Sequence, residues 1–266
     1  MTPLNHRLTG RAPDAAPTLL LIHPMGASLA FWDACLPHWE QHFRILAVDL
    51  RCAGASPGGT APGLDQHVAD IEALRAQLGL TRLVPVACAV GCRVAVAYAA
   101  RHAEHVLAMV LSNPTPRTAE AARAMLEARA ALLREKGMAA ILPGAVERPF
   151  EAQPRDARYD AYLAAFAGQD AATYAEAVLG FATADARADL PRVRCPTLLV
   201  PAAHDLLLPP ALADEVQALM QPGISRIALD TEGAHFLPYQ RPASFAARVL
   251  DFLGPLTGQT TVTQGA

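Results

Sequence analysis

The stretch Val86-Ala87-Cys88-Ala89-Val90-Gly91-Cys92-Arg93 decides the fold. A buried-type apolar run over 83–87 leads into it, and a helical pattern over 91–102 leaves it. A strand that passes into a helix through a turn of small residues is the setting of a nucleophile elbow, G-x-S-x-G. We anchor the register on the helix end, Ala99-Ala100-Arg101-His102, and on the next strand from Val106. Ala87 then takes the first glycine position, Ala89 the serine, Gly91 the second glycine and Cys92 a frequent third. A frame with Cys88 as nucleophile places Val86 and Val90 at both glycines, so it is rejected.

Outward from this turn, short apolar runs alternate with helical patterns. The runs at 18–22 (TLLLI), 44–48 (RILAV), 83–87 (LVPVA), 106–111 (VLAMVL), 197–201 (TLLVP) and 226–229 (RIAL) lack polar alternation. That is the pattern of parallel strands covered on both faces. Helices are predicted over 64–80, 91–102, 210–220 and 242–253; the first sets Leu64, His67, Val68, Ile71, Leu74 and Leu78 along one side. Strand–helix alternation predicts an α/β fold with a doubly wound, mostly parallel sheet. Its ligand site belongs beyond the carboxyl ends of the strands. From 114 to 190 the alternation stops, and Ala, Leu, Arg and Glu dominate between breaks at Gly137, Pro143–Gly144 and Pro149–Pro154. This segment is predicted to be an inserted helical lid, with 1–113 and 191–254 forming the core and 255–266 a flexible tail.

The chain has 266 residues and a net charge of −3, with no Lys/Arg stripe, so nucleic acid is not an expected partner. Its apolar runs are too short for a membrane span, and 1–11 lacks the apolar core of a signal peptide. A cytoplasmic location is the expectation, and a homo-oligomer is left open. The cysteines (Cys35, Cys52, Cys88, Cys92, Cys195) are odd in number and irregularly spaced, which suits reduced thiols. No ligand spacing suggests a metal: His102 and His105, three apart, read as a polar helix end. No cofactor is expected.

The chemistry-bearing residues follow the strand ends. His23-Pro24-Met25-Gly26 comes after the first predicted strand, where an oxyanion loop belongs. The N–H groups of Met25 and Val90 are the candidate oxyanion donors. His23 and Trp32 are candidate substrate contacts. Asp205 lies just past the strand at 197–201, and His235 sits in Gly233-Ala234-His235-Phe236, before the last helix. The chain order of nucleophile position, acid and histidine is that of the α/β-hydrolase elbow.

These residues resemble the α/β-hydrolase superfamily, over nearly the whole chain from about Leu19 to Leu253. Within it the chain is most similar to 3-oxoadipate enol-lactonases and their relatives. The loop before Phe31-Trp32-Asp33, the turn Asp49-Leu50-Arg51-Cys52-Ala53-Gly54-Ala55-Ser56, the strand end Leu111-Ser112-Asn113, and the Asp205 and His235 segments carry the likeness. The Asp49 turn matches D-x-R-G-x-G-x-S with Cys52 for glycine, and Asp49 and Arg51 are read as structural. The resemblance implies a serine attacking an ester or lactone carbonyl, with His235 taking its proton and Asp205 orienting the ring. It also implies an acidic substrate, for which one or two of Arg117, Arg123, Arg129, Arg134, Arg148, Arg155 and Arg158 would face inward.

Ala89 departs from that scheme, because a methyl group cannot form an acyl-enzyme. Aminoacrylate hydrolases of pyrimidine breakdown offer a second resemblance, since that family also carries alanine in its elbow. The leading expectation is a cofactor-free enzyme acting on a small activated carbonyl compound, an enol-lactone, ester or enamine, with His235–Asp205 as general base for hydrolysis or for a proton-transfer lyase or isomerase step. A non-catalytic ligand-binding pseudoenzyme and an engineered serine-to-alanine form of a lactonase or esterase are the alternatives. Because Ala87, Cys92 and Cys52 also replace glycine, divergence is favoured over a single edit. Cys88 and Cys92 are read as small core thiols, and a Cys52–Cys92 redox link is a minor alternative.

Overall fold

The computed structural model describes residues 3–10 and 16–257. Seven strands form one sheet: β1 (His6–Thr9), β2 (Thr18–Ile22), β3 (Arg44–Val48), β4 (Leu83–Cys88), β5 (Met109–Ser112), β6 (Thr197–Val200) and β7 (Ser225–Ile227). Their order is β1-β3-β2-β4-β5-β6-β7. All neighbours run parallel except β1, which pairs antiparallel with β3. The chain steps from β2 out to β3 on one side, then returns to place β4 on the other. That reversal opens a crevice at the carboxyl ends of β2 and β4.

Among the described residues nine α-helices accompany the sheet: α1 (Leu36–Trp39), α2 (Leu64–Gln77), α3 (Gly91–Arg101), α4 (Glu120–Lys136), α5 (Ala157–Ala167), α6 (Ala171–Ala182), α7 (Ala211–Leu219), α8 (Leu237–Gln240) and α9 (Pro242–Thr257). Burial is two-sided, as the unbroken apolar strands require. In β2, Leu19 and Leu21 join the core made with Trp32, Trp39 and Phe245, whereas Leu20 and Ile22 join the core made with Ile71, Val94 and Val216. This two-residue alternation puts α1 and α9 on one face and α2, α3 and α7 on the other.

Between β5 and β6 the described chain forms α4, α5 and α6 with 3₁₀ and π turns over 138–150. Both roots of this insertion are tied to α3. Buried Arg93 donates to Thr118 Oγ1 and, at 2.9 Å, to the Ala184 carbonyl; Thr118 Oγ1 donates to the Phe181 carbonyl at 2.8 Å. A Cβ on Gly180 of α6 would lie 2.2 Å from the Pro62 carbonyl oxygen, so α6 sits directly on the loop before α2.

Three features differ from the sequence reading. Strand β1, HRLT, has a single large apolar residue and escapes a search for apolar runs. Its place at the edge of the sheet explains that polarity. The strand expected from Val106 begins at Met109, after an isolated bridge between Val106 and Leu83. Helix α9 runs on through Pro255 to Thr257, into the segment expected as a tail; residues 258–266 lie outside the described residues. Among the described residues no helix is long and apolar enough to cross a membrane.

Candidate active site

Ala89 follows β4 directly and has φ = 50°, in the left-handed region. For an L-residue this conformation costs roughly 1–2 kcal/mol. The turn is held by the Ala89 N–H, which donates to the Ser112 carbonyl at the end of β5 (2.9 Å). Val90 then caps α3 in helical geometry. Gly91 is required by a close approach: a Cβ there would lie 2.7 Å from the His23 carbonyl oxygen and 2.9 Å from that of Ile22. The loop after β2 is thereby pressed against the first turn of α3. Among the described residues, the N–H groups of Met25 and Val90 have no hydrogen-bond partner.

On the other side of β5, Asp205 and His235 meet. His235 Nδ1 lies 2.9 Å from Asp205 Oδ2 and 3.1 Å from Oδ1. Asp205 Oδ1 also accepts the N–H groups of Leu207 and Leu208, both at 2.8 Å. A carboxylate held by two backbone donors at the end of a short loop has its orientation fixed before it meets the imidazole. Because Nδ1–H donates to the acid, Nε2 carries the free lone pair of the neutral ring. The Asp205 side chain is fully buried, and that of His235 is 12 % exposed.

Two residues that brace this pair have no assigned role in the sequence reading. Asn113, at φ = 48°, is 1 % exposed. Its Nδ2 donates to the carbonyls of Ala234 and His235, both at 2.9 Å, and its Oδ1 accepts the Ala202 N–H at 2.7 Å. One amide thus joins β5, the Asp205 loop and the His235 loop. Asp230 accepts the N–H groups of Glu232 (3.1 Å) and Gly233 (2.7 Å) and so shapes the approach to His235. The signal for Asn113 is its type: asparagine tolerates the left-handed region and carries both donor and acceptor.

Two expected substrate contacts belong to the core instead. Both nitrogens of His23 are engaged by backbone: Nδ1 with the Pro24 carbonyl (2.8 Å) and Nε2 with the Leu50 N–H (3.0 Å). Burial depresses its pKa, partly offset by the Pro24 carbonyl and by Asp49, and the ring has no atom left for a ligand. Trp32 is fully buried against Phe31, Trp39 and Phe245. Asp49 binds the N–H groups of Leu29 and Ala55, while Arg51 pairs with Asp70 through two bonds of 2.8 and 2.7 Å.

The cysteines are free and buried. Cys88 Sγ donates to the His235 carbonyl at 3.7 Å, and burial raises its pKa well above the ordinary thiol value, which suppresses the thiolate. Cys52 bonds to the Gly59 carbonyl and Cys92 to that of Ser112; the two belong to cores on opposite faces of the sheet and are not linked.

A cavity of about 430 Å³ opens between the loop after β2 and α5. Its walls include Phe31, Tyr162, Phe166 and Tyr239, with Arg158 and Gln169 contributing polar groups. The lid presses on the loop: Gln169 Nε2 donates to the Gly26 carbonyl at 2.9 Å, and a Cβ on Gly26 (φ = 79°) would lie 2.4 Å from the Phe166 ring. Of the lid arginines, Arg123 and Arg134 pair with Glu127 and Glu176. Arg155 lies over the Tyr159 ring, and burial raises the pKa of the Tyr174 hydroxyl with Arg129 offsetting part of that rise. Arg158 alone of the seven lines the cavity, and it also contacts Asp156 at 3.2 Å.

Comparison with known proteins agrees with this architecture. A family model described as the alpha/beta hydrolase fold matches residues 17–141. RutD of Stutzerimonas stutzeri, named as a carbamate hydrolase, is 28% identical over 96% of this chain and 98% of its own length. RutD of a Caulobacter strain is likewise 28% identical, over 94% of this chain and 95% of its own. The enol-lactonase from Burkholderia xenovorans superposes with a TM-score of 0.82 at 26% identity, covering 94% of this chain and 96% of that one. The chain has the α/β-hydrolase fold.

Proposed function

We propose that the protein is a hydrolase of small activated carbonyl compounds that works through His235 and Asp205 as a general base, without a nucleophilic side chain. Ala89 stands, in this reading, where a serine would attack. The observation that carries it is the buried pair itself: Asp205 is braced by two backbone N–H groups and by its bond to Nδ1, leaving Nε2 as base. The relatives named for a carbamate and an enol-lactone support the substrate class.

The chemistry runs in two steps. Nε2 takes a proton from a water as the water oxygen bonds to the carbonyl carbon, and the carbonyl oxygen becomes an oxyanion facing the N–H groups of Met25 and Val90. The oxyanion then collapses, the bond to the leaving group breaks, and the imidazolium returns its proton to the departing oxygen or nitrogen. General base catalysis supplies about 10²–10⁴-fold. That suffices for an activated ester, enol-lactone or carbamate and not for an ordinary amide. The lid and the core together would form one enzyme domain, with 114–190 covering the site.

The test is turnover of 4-nitrophenyl acetate and dihydrocoumarin by wild type and by His235→Ala. Loss of at least a hundredfold in the variant is the expected result. Equal, background-level rates in both would instead favour a binding protein.

A further inference from the structure

The Tyr162 hydroxyl of α5 is an orphan. The residue is 5% exposed, and its phenolic oxygen is buried with no hydrogen-bond partner among the described residues. A buried hydroxyl nearly always finds a partner, so an unmet one in a well-packed wall asks for an explanation. The ring itself is locked. It lies 4.8 Å from the Phe236 ring, 5.4 Å from Tyr239, 5.5 Å from Phe150 and 6.4 Å from Phe166, centroid to centroid. It also forms part of the cavity wall. Phe236 in turn lies 4.9 Å from the His235 ring, so Tyr162 is one aromatic layer away from the imidazole.

Its surroundings keep the hydroxyl protonated. Burial raises its pKa well above the ordinary phenol value, and Tyr174, Cys88 and Tyr239 act in the same direction. A neutral phenol is a poor nucleophile and a good hydrogen-bond donor. Tyr174 makes a contrast: it too is buried, but its hydroxyl is not among the buried groups left without a partner, and Arg129 offsets part of its rise in pKa.

We propose that the Tyr162 hydroxyl is a substrate-contacting donor that reaches from the lid to the carbonyl or leaving-group oxygen of a small aryl or enol ester held above Ala89. The lid thus brings a hydroxyl to a site whose own turn has none. Its role is recognition, not attack. The proposal rests on the substrate class proposed above, but its test does not require turnover.

The probe is 4-nitroacetanilide, an amide analogue of an aryl ester that base catalysis does not hydrolyse. Its affinity is measured by calorimetry for wild type, Tyr162→Phe and Tyr174→Phe, with thermal unfolding of each. Tyr162→Phe keeps the ring and removes only the orphan, so its unfolding temperature should match or exceed that of wild type. Its affinity should fall about tenfold, the size of one lost hydrogen bond, while Tyr174→Phe binds within a factor of three. Equal binding by wild type and Tyr162→Phe overturns the proposal, as does failure of wild type to bind the probe. A collapse of the base-catalysis reading shows separately, as unchanged ester turnover in His235→Ala.

Discussion

The two sides of the site are built differently. On the β6–β7 side, Asp205 and His235 are over-determined: Asn113 joins three chain segments, and Asp205 takes two backbone N–H groups besides the imidazole. On the β2–β4 side, the turn keeps its demanding backbone, with Ala89 at φ = 50° and Gly91 pressed on His23, yet ends in a methyl group. A braced acid–imidazole pair and a strained turn without a hydroxyl are what the proposed function requires of the two sides. The contrast also separates what holds the fold from what serves chemistry. His23 and Trp32, expected as substrate contacts, lie in packed surroundings, with both His23 nitrogens engaged by backbone.

The largest effect that breaks this contrast is on the braced side. Asp205→Asn removes the carboxylate that orients Nδ1–H, and turnover of dihydrocoumarin should fall at least a hundredfold, measured with the folded state checked by circular dichroism. A variant as active as wild type would mean that the acid does not serve the histidine.

Asn113→Ala comes next. It removes three buried hydrogen bonds, and unfolding in urea should show a loss of about 2–4 kcal/mol, with ester turnover falling as the two loops loosen. A loss under about 0.5 kcal/mol would show that the loops hold themselves.

The opposite side has its own weak point, in pH. His67 is buried and stacked on Phe181, with both ring nitrogens unpartnered, and burial pulls its pKa down from 6.5 to about 4. The unfolded chain therefore binds this proton first as pH falls. The neutral ring's contribution is complete above about pH 6.5 and is lost progressively as pH drops toward 4, by up to about 3 kcal/mol. His67→Phe should flatten that part of the stability–pH curve, and an unchanged curve contradicts the assignment.

The smallest effect lies at the turn itself. Ala89→Gly relieves the left-handed strain and returns part of the gain as chain entropy, so stability should rise by about 1 kcal/mol or less. A loss of stability would mean that the Ala89 methyl is needed for packing.

Much of this was legible in the residues. Apolar runs flanked by turn residues placed six of the seven strands, because parallel strands buried on both faces leave a continuous signal. The edge strand β1 left none, since one of its sides faces polar surroundings. Asp205 and His235 stood out because they follow the elbow turn in the chain order of acid and then histidine. Asp230, Tyr162 and, beyond its residue type, Asn113 could not, because their surroundings form only in the folded chain, as with the Asn113 bond to the His235 carbonyl across 122 positions. Those contacts exist only once the sheet and lid have assembled.

The central claim is that Ala89 occupies an attacking position opposite a working base. It is tested most directly by treating wild type, Ala89→Ser and Ala89→Ser/His235→Ala with a phosphonofluoridate and weighing the intact proteins. The account predicts one phosphonyl adduct on Ala89→Ser, mapped to position 89, and none on wild type or on the double variant. An unmodified Ala89→Ser protein that is otherwise folded would contradict it.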